Sequence, residues 1–349
     1  MTKKLGLIAV LAALVLAPGC KGSNADPDGM PDVGMSADGG VLDPDMDVVE
    51  TPDMGDEVDN GQAPTVPTVV STSPEDEATG VHAEAAIVFE FSEPMDPDTT
   101  EAAYVSNELP ANMVTFGWDA EFRTLTILPT NDLPYAEGGP DVGALGFAAT
   151  IGATAESAAG EPMGESASVH FTTLRRITDE ATLVAALTGY GSSTGSSAST
   201  SVIVGDATTN SGLRGLLTFS VADVPEGVQL EQARFVIDET GRVGNADAGL
   251  GQLQAAHVFF GALADGFSAE ILAGLPNLLN VTVSPSATPF QRSVDITGFV
   301  ADDLAQREAR GDQTQLRLGY PMLTDGDTSA DTVSLDKNSA TLTLTWLAP

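Results

Sequence analysis

The chain has 349 residues, with 50 acidic against 14 basic side chains and a formal charge of −36. So acidic a chain excludes nucleic acid as a partner, because phosphate recognition needs clustered Lys and Arg. A single cysteine excludes an internal disulfide, and three scattered histidines (His82, His170, His257) build no metal-binding motif.

In chain order, Lys3 and Lys4 precede an apolar run from Leu5 to Ala17. That run is shorter than the ~20 residues needed to span a bilayer core, and residues 1–19 have the layout of a secretory signal peptide. The junction Leu16-Ala17-Pro18-Gly19-Cys20 resembles a bacterial lipobox, in which the cysteine becomes the lipidated first residue of the mature protein. The resemblance implies that Cys20 is an acyl anchor and that the membrane is a partner. Lysine at position 21, where aspartate would favour the inner membrane, implies an outer-membrane location. The alternative is cleavage nearby with Cys20 left as an exposed thiol, which is liable to oxidation or cross-linking outside the cytosol.

Residues 20–63 form the next segment. Lys21 faces twelve acidic residues between Asp26 and Asp59, aromatic residues are absent, and Gly, Pro and Met are frequent. Too little apolar surface is available to offset ordering entropy, and self-repulsion extends the segment, so a disordered acidic tether is expected.

The remaining residues are long enough for two domains, and both read as all-β sandwiches. In residues 64–174, "AAIVFEF" puts Ile87, Phe89 and Phe91 on one face, "RTLTILP" pairs Leu125 with Ile127, and "SVHFTT" pairs Val169 with Phe171 and turns His170 outward. Together with "FSEPMDP" and "VTFGWDAEFRTLTILP", these pieces resemble the SbsA-type bacterial Ig-like domains first known from surface-layer proteins. The resemblance implies an Ig-like β-sandwich used as a spacer or display module. Glu93, Asp96 and Asp98 crowd together in "FSEPMDP", and the preferred reading is a turn after the strand that ends at Phe91.

In residues 175–349, "GLLTFSV", "ARFVID", "TQLRLGY" and "ATLTLTW" keep the same period of two. "RGLLTF", the following proline turn and "EQARF" resemble DNRLRE-type domains, jelly-roll β-sandwiches related to carbohydrate-binding modules. That resemblance implies a jelly-roll-like fold with Phe219, Ala233 and Ile237 in the core, and it does not specify a ligand. "DEATLVAALTG" (179–189) is ambiguous between strand and helix, and "ADDLAQREARGD" (301–312) reads as a short surface helix.

No nucleophile elbow, P-loop, dinucleotide fingerprint or zinc motif is present, so no catalytic residue is assigned and a non-enzyme is expected. Asp325, Asp327, Asp331 and Asp336 gather around a glycine in "LTDGDTSADTVSLD". Hard oxygen ligands on a tight loop suit Ca²⁺, and the alternative is a solvated hairpin loop. Structural calcium is the only cofactor considered. Ten of the 14 basic residues fall after position 174, nine of them arginine. Arg234 and Arg317 alternate with apolar neighbours, so they should point out of their sheets. There they could clamp sugar carboxylates or form ordinary salt bridges. The expectation is a lipid-anchored surface protein whose C-terminal sandwich binds polysaccharide, matrix or an envelope protein. A purely structural spacer and a cryptic hydrolase are the alternatives.

Overall fold

The computed structural model describes residues 65–192, 195–197, 201–261, 280–285 and 290–349. The expected signal segment, Cys20 and the expected acidic tether lie outside the described residues. The described chain is mostly β, as the period-two patterning requires, and it builds two separate hydrophobic cores.

The first sandwich packs two four-stranded sheets face to face. One runs β1 (Val69–Ser73), β3 (Ile87–Phe91), β6 (Thr124–Pro129), β5 (Val114–Trp118), and the other β2 (Ala78–Val81), β9 (Ala167–Thr173), β8 (Gly146–Ile151), β4 (Tyr104–Val105). Alternation decides which side chains meet between them. Ile87, Phe89, Leu125, Ile127 and Val169 are all fully buried, and Phe147 stacks on Phe171 at 5.6 Å between ring centroids. The acidic turn after β3 is a helix start. Asp96 accepts from the Thr99 N–H at 2.9 Å and Pro97 occupies the first turn of α1 (Pro97–Ala102), the arrangement that satisfies orphan N–H groups.

A short strand, β7 (Ala136–Gly138), leaves the first sandwich and pairs in parallel with β10 (Arg175–Leu183) of the second. Only Leu174 separates β9 from β10. Arg176 clamps this junction, with Nη1 on Glu137 and Nε on Glu231, each at 2.7 Å, and its guanidinium 5.5 Å from the Tyr135 ring centroid. Arg175 donates to the carbonyls of Val142 and Pro349.

The second sandwich adds β11 (Gly189–Ser192), β12 (Gly195–Ser197), β13 (Ser201–Ala207), β14 (Ser211–Ser220), β15 (Gln229–Val243) and β16 (Gln254–His257). After these come β17 (Val281–Thr282), β18 (Ser284–Pro285), β19 (Gln291–Asp295), β20 (Gln313–Gly319), β21 (Asp331–Asp336) and β22 (Thr341–Ala348). Strands β14, β13, β21, β15, β22 and β10 follow one another, and β10 returns to β14. This closes a flattened barrel in the manner of a jelly roll. Its centre holds Phe219, Ala233, Phe235, Ile237, Leu342 and Trp346, each at most 2% exposed. Strand β14 departs from the expected alternation. Leu216 and Thr218, on the face opposite Leu217 and Phe219, are also fully buried, and the Thr218 hydroxyl donates to the Leu187 carbonyl of the 3₁₀ turn at Ala185–Leu187.

The ambiguous segment 179–189 finishes β10 and then makes a 3₁₀ turn at Ala185–Leu187. The segment 301–312 is helical, as α3 (Thr297–Ala305) and α4 (Arg307–Arg310) after α2 (Ala246–Gly249). It is more than a surface helix, however. Asp303 and Arg310 are buried and form an ion pair that also takes in His257 on β16, whose Nε2 lies 2.8 Å from Asp303 Oδ1. Amphipathic patterning does not show this, because the inward-facing residues here are charged.

Candidate ligand-binding site

The outer face of β14, β20 and β16 carries an arginine-lined cavity. In register, Leu216 lies opposite Arg317, which lies opposite Ala256, and one pair further on Gly319 faces Gln254. Arg214 sits two residues before Leu216 on the same face of β14, making it a diagonal neighbour of Arg317, ~7–8 Å away by sheet geometry. The cavity has a volume of about 350 Å³ and is lined by Arg214, Gln254, Asn280, Arg317, Gly319 and Leu323, among others. None of the lining residues among the described residues is acidic.

Glycine makes room for Arg214. A Cβ at position 319 would collide with the Arg214 guanidinium, so the side chain lies flat across bare backbone. Arg214 is 8% exposed, and its Nη1 has no hydrogen-bond partner among the described residues. Burial, and then the charge of Arg317, pull its pKa down to about 10. It remains charged at neutral pH in a setting that disfavours the charge. Burial lowers Arg317 in the same way. On one wall Asn280 Nδ2 donates to Gln254 Oε1 at 3.0 Å. The buried Tyr320 turns its hydroxyl to Asp247, 3.2 Å away, and Leu323, half exposed, forms part of the rim.

The residues expected to bind ligand do not form one site. Arg317 lies in the cavity, whereas Arg234 stands exposed on β15, in a different part of the barrel, with Nη2 donating to Ser293 Oγ at 3.1 Å. Arg214, the most buried cationic group of the cavity, was legible only as part of the packing motif "RGLLTF". Its one local signal is an arginine in phase with Leu216 and Thr218 on an otherwise apolar strand.

Three of the four aspartates considered for calcium come together. Oxygens of Asp325, Asp327 and Asp331 lie within 4.8 Å of one another, with Asp331 accepting from the Asn245 N–H. Asp336 does not belong with them. It is at the other end of β21, ~16 Å along an extended strand, and accepts from the Asn338 N–H at 2.9 Å. The segment that carries the cluster is not a hairpin loop either, since β20 and β21 are not sheet neighbours. The Asp327 and Ser329 N–H groups donate to the side chains of Asp325 and Asp327, respectively, so part of the cluster's acceptor capacity serves the turn.

The His257–Asp303–Arg310 group has the residue types of acid–base chemistry. His257 is fully buried, with its ring stacked on Phe299 at 4.9 Å, and Arg310 also pairs with Asp302 at 2.7 Å. Its placement beneath α3 makes it a tie between helix and sheet.

Residues 63–173 match the family model of a bacterial Ig-like domain. A search of curated proteins gives no match. Among solved structures, domains 1–6 of surface layer protein SbsC align at 10% identity over 52% of this chain and 29% of that chain, with a TM-score of 0.22. The native conformation of alpha-2-macroglobulin from E. coli aligns at 15% identity over 66% of this chain and 12% of that chain, at 0.24. SGBP-B from a complex xyloglucan utilization locus in Bacteroides uniformis aligns at 11% identity over 79% of this chain and 72% of that chain, at 0.21. This chain thus spans 29% of the first of these structures and 12% of the second. Over residues 63–173, therefore, the chain is similar to a bacterial Ig-like domain.

Proposed function

We propose that this is a non-catalytic cell-surface binding module. Cys20 is its lipid anchor at the outer membrane, residues 20–63 are a tether, the Ig-like sandwich is a spacer, and the C-terminal sandwich presents a polysaccharide-binding face. One observation carries the reading. A chain of charge −36 keeps two arginines side by side in a cavity whose lining, among the described residues, contains no acid. An arginine that only stabilised the fold would be expected to face some of the many available carboxylates, as Arg176 does at the junction, whereas the buried Arg214 leaves Nη1 without a hydrogen-bond partner among the described residues.

The junction suits the spacer role. A parallel strand pair and the Arg176 clamp join the two sandwiches with one intervening residue, so a ligand-binding face would be held out on a stiff arm. Binding of the full chain to an array of neutral and acidic polysaccharides, with and without calcium, tests the proposal. Specific, saturable binding is expected. A silent array, with activity found instead in a broad hydrolase screen, would overturn it.

A further inference from the structure

We propose that the cavity between β14, β20 and β16 takes the carboxylate of an acidic sugar unit, with Arg214 as its main ligand and Arg317 beside it. This rests on the polysaccharide reading above and narrows it to uronate-bearing polymers.

The protein's other buried arginines provide the comparison. Besides Arg214, two are buried to the same degree among the described residues, Arg292 and Arg310. Each meets two carboxylates: Arg292 pairs with Glu239 and Asp247, both at 3.1 Å, and Arg310 with Asp302 and Asp303. Arg214 is just as buried, yet its Nη1 has no hydrogen-bond partner among the described residues, and the charge that acts on it there is another cation, Arg317. A buried charge without a counterion is strongly disfavoured. An anion entering the cavity would supply what Arg292 and Arg310 already possess.

The geometry points to a planar anion on a small polar body. A guanidinium meets a carboxylate through two parallel N–H···O bonds. The cavity, at about 350 Å³, is near the lower end of the ~300–1,000 Å³ typical of small-ligand sites. The amides of Gln254 and Asn280 are placed for hydroxyl groups, and Pro321 and Leu323 form an apolar wall for the C–H face of a ring. Gly319 is a positioning residue, since any side chain there would push the guanidinium aside.

The net charge makes the test informative. A protein of charge −36 repels polyanions at long range, so ion-exchange capture cannot imitate the site. Repulsion beyond about 8 Å is screened at physiological salt. Binding to a polyuronate should therefore strengthen between about 0.01 and 0.15 M salt, the reverse of simple electrostatic adsorption.

The experiment uses the full chain with polygalacturonate, its methyl ester, dextran sulfate and neutral dextran, read by calorimetry and thermal shift. Saturable binding to polygalacturonate and none to the ester is expected. Arg214→Gln should weaken it by at least about tenfold, the scale of a lost charge-assisted hydrogen bond. Gly319→Ala, which keeps the charge and displaces it, should weaken it comparably. Without ligand, Arg214→Gln should melt no lower than the parent, while Arg310→Gln melts lower because it breaks existing ion pairs. Undiminished binding by Arg214→Gln, equal binding to the ester, or tighter binding to dextran sulfate would overturn the carboxylate assignment. Binding to a neutral polymer that ignores Arg214→Gln would overturn it too, and would leave the polysaccharide reading standing. No binding to any polymer, here or on the array, would remove both.

Discussion

Replacing Asp303 with alanine isolates what the buried polar group under α3 contributes. Asp303 is 2% exposed and its carboxylate serves both Arg310 Nη1 and His257 Nε2. Removing one partner of a buried ion pair costs about 3–5 kcal/mol. Arg310 keeps Asp302, whose side chain is 31% exposed, so the lower end of that range applies. His257 also loses an acceptor, which adds about 1 kcal/mol. The sum is about 4 kcal/mol, or a fall in Tm of roughly 8–16 °C for a sandwich of this size. The chain has two tryptophans, Trp118 in the first sandwich and Trp346 in the second core. Urea unfolding of the full chain carrying Trp118→Phe would therefore report the second sandwich alone through Trp346. Asp302→Ala, at the exposed edge of the same group, should cost about 1 kcal/mol. If Asp303→Ala and Asp302→Ala shifted the midpoint equally, or Asp303→Ala by under about 1 kcal/mol, the buried pair would not be what ties α3 to the sheet.

Gly205→Ala should destabilise the second sandwich by more than about 2 kcal/mol, since Gly205 has φ +127° and a Cβ there would run into the Asp331 carbonyl; denaturant midpoints check this. Arg176→Ala should change stability by less than about 1 kcal/mol, because the side chain is 37% exposed. It should nonetheless loosen the two sandwiches relative to each other, visible as a broader interdomain distance distribution between spin labels. Acid should weaken the second sandwich through Glu239 and Asp247. Burial pushes both carboxyls up, but Arg242 and Arg292 outweigh it and hold them below their ordinary values of 4.5 and 3.8. A depressed carboxyl contributes stability that is complete above its unfolded value and lost as pH falls through its folded one. The loss should therefore set in below about pH 4.5, and a pH series of thermal melts should show Arg292→Ala flattening it.

Much of the fold was legible because strand alternation is local. Ile87, Phe89 and Phe91, or Leu342, Leu344 and Trp346, announce their buried face within a few residues, and each set lies in a core. The segment that matches a bacterial Ig-like family model was legible for the same reason, since its motifs are short runs. The charged interior was not. A helix read from 301–312 looks solvated until the structure shows Asp303 and Arg310 facing His257, some fifty residues away in sequence. The four-aspartate cluster failed at Asp336 because a strand separates residues that the sequence sets only five apart. The cavity is the clearest case. Arg214, Gln254 and Arg317 lie on three strands, and nothing in any one strand states the register that aligns them. The sequence determined which residues of the strands turn inward and that the chain carries a formal charge of −36. Tertiary structure alone decided that two arginines share a pocket and that one of them, Arg214, leaves Nη1 without a hydrogen-bond partner among the described residues, because strand pairing between distant segments sets which side chains become neighbours.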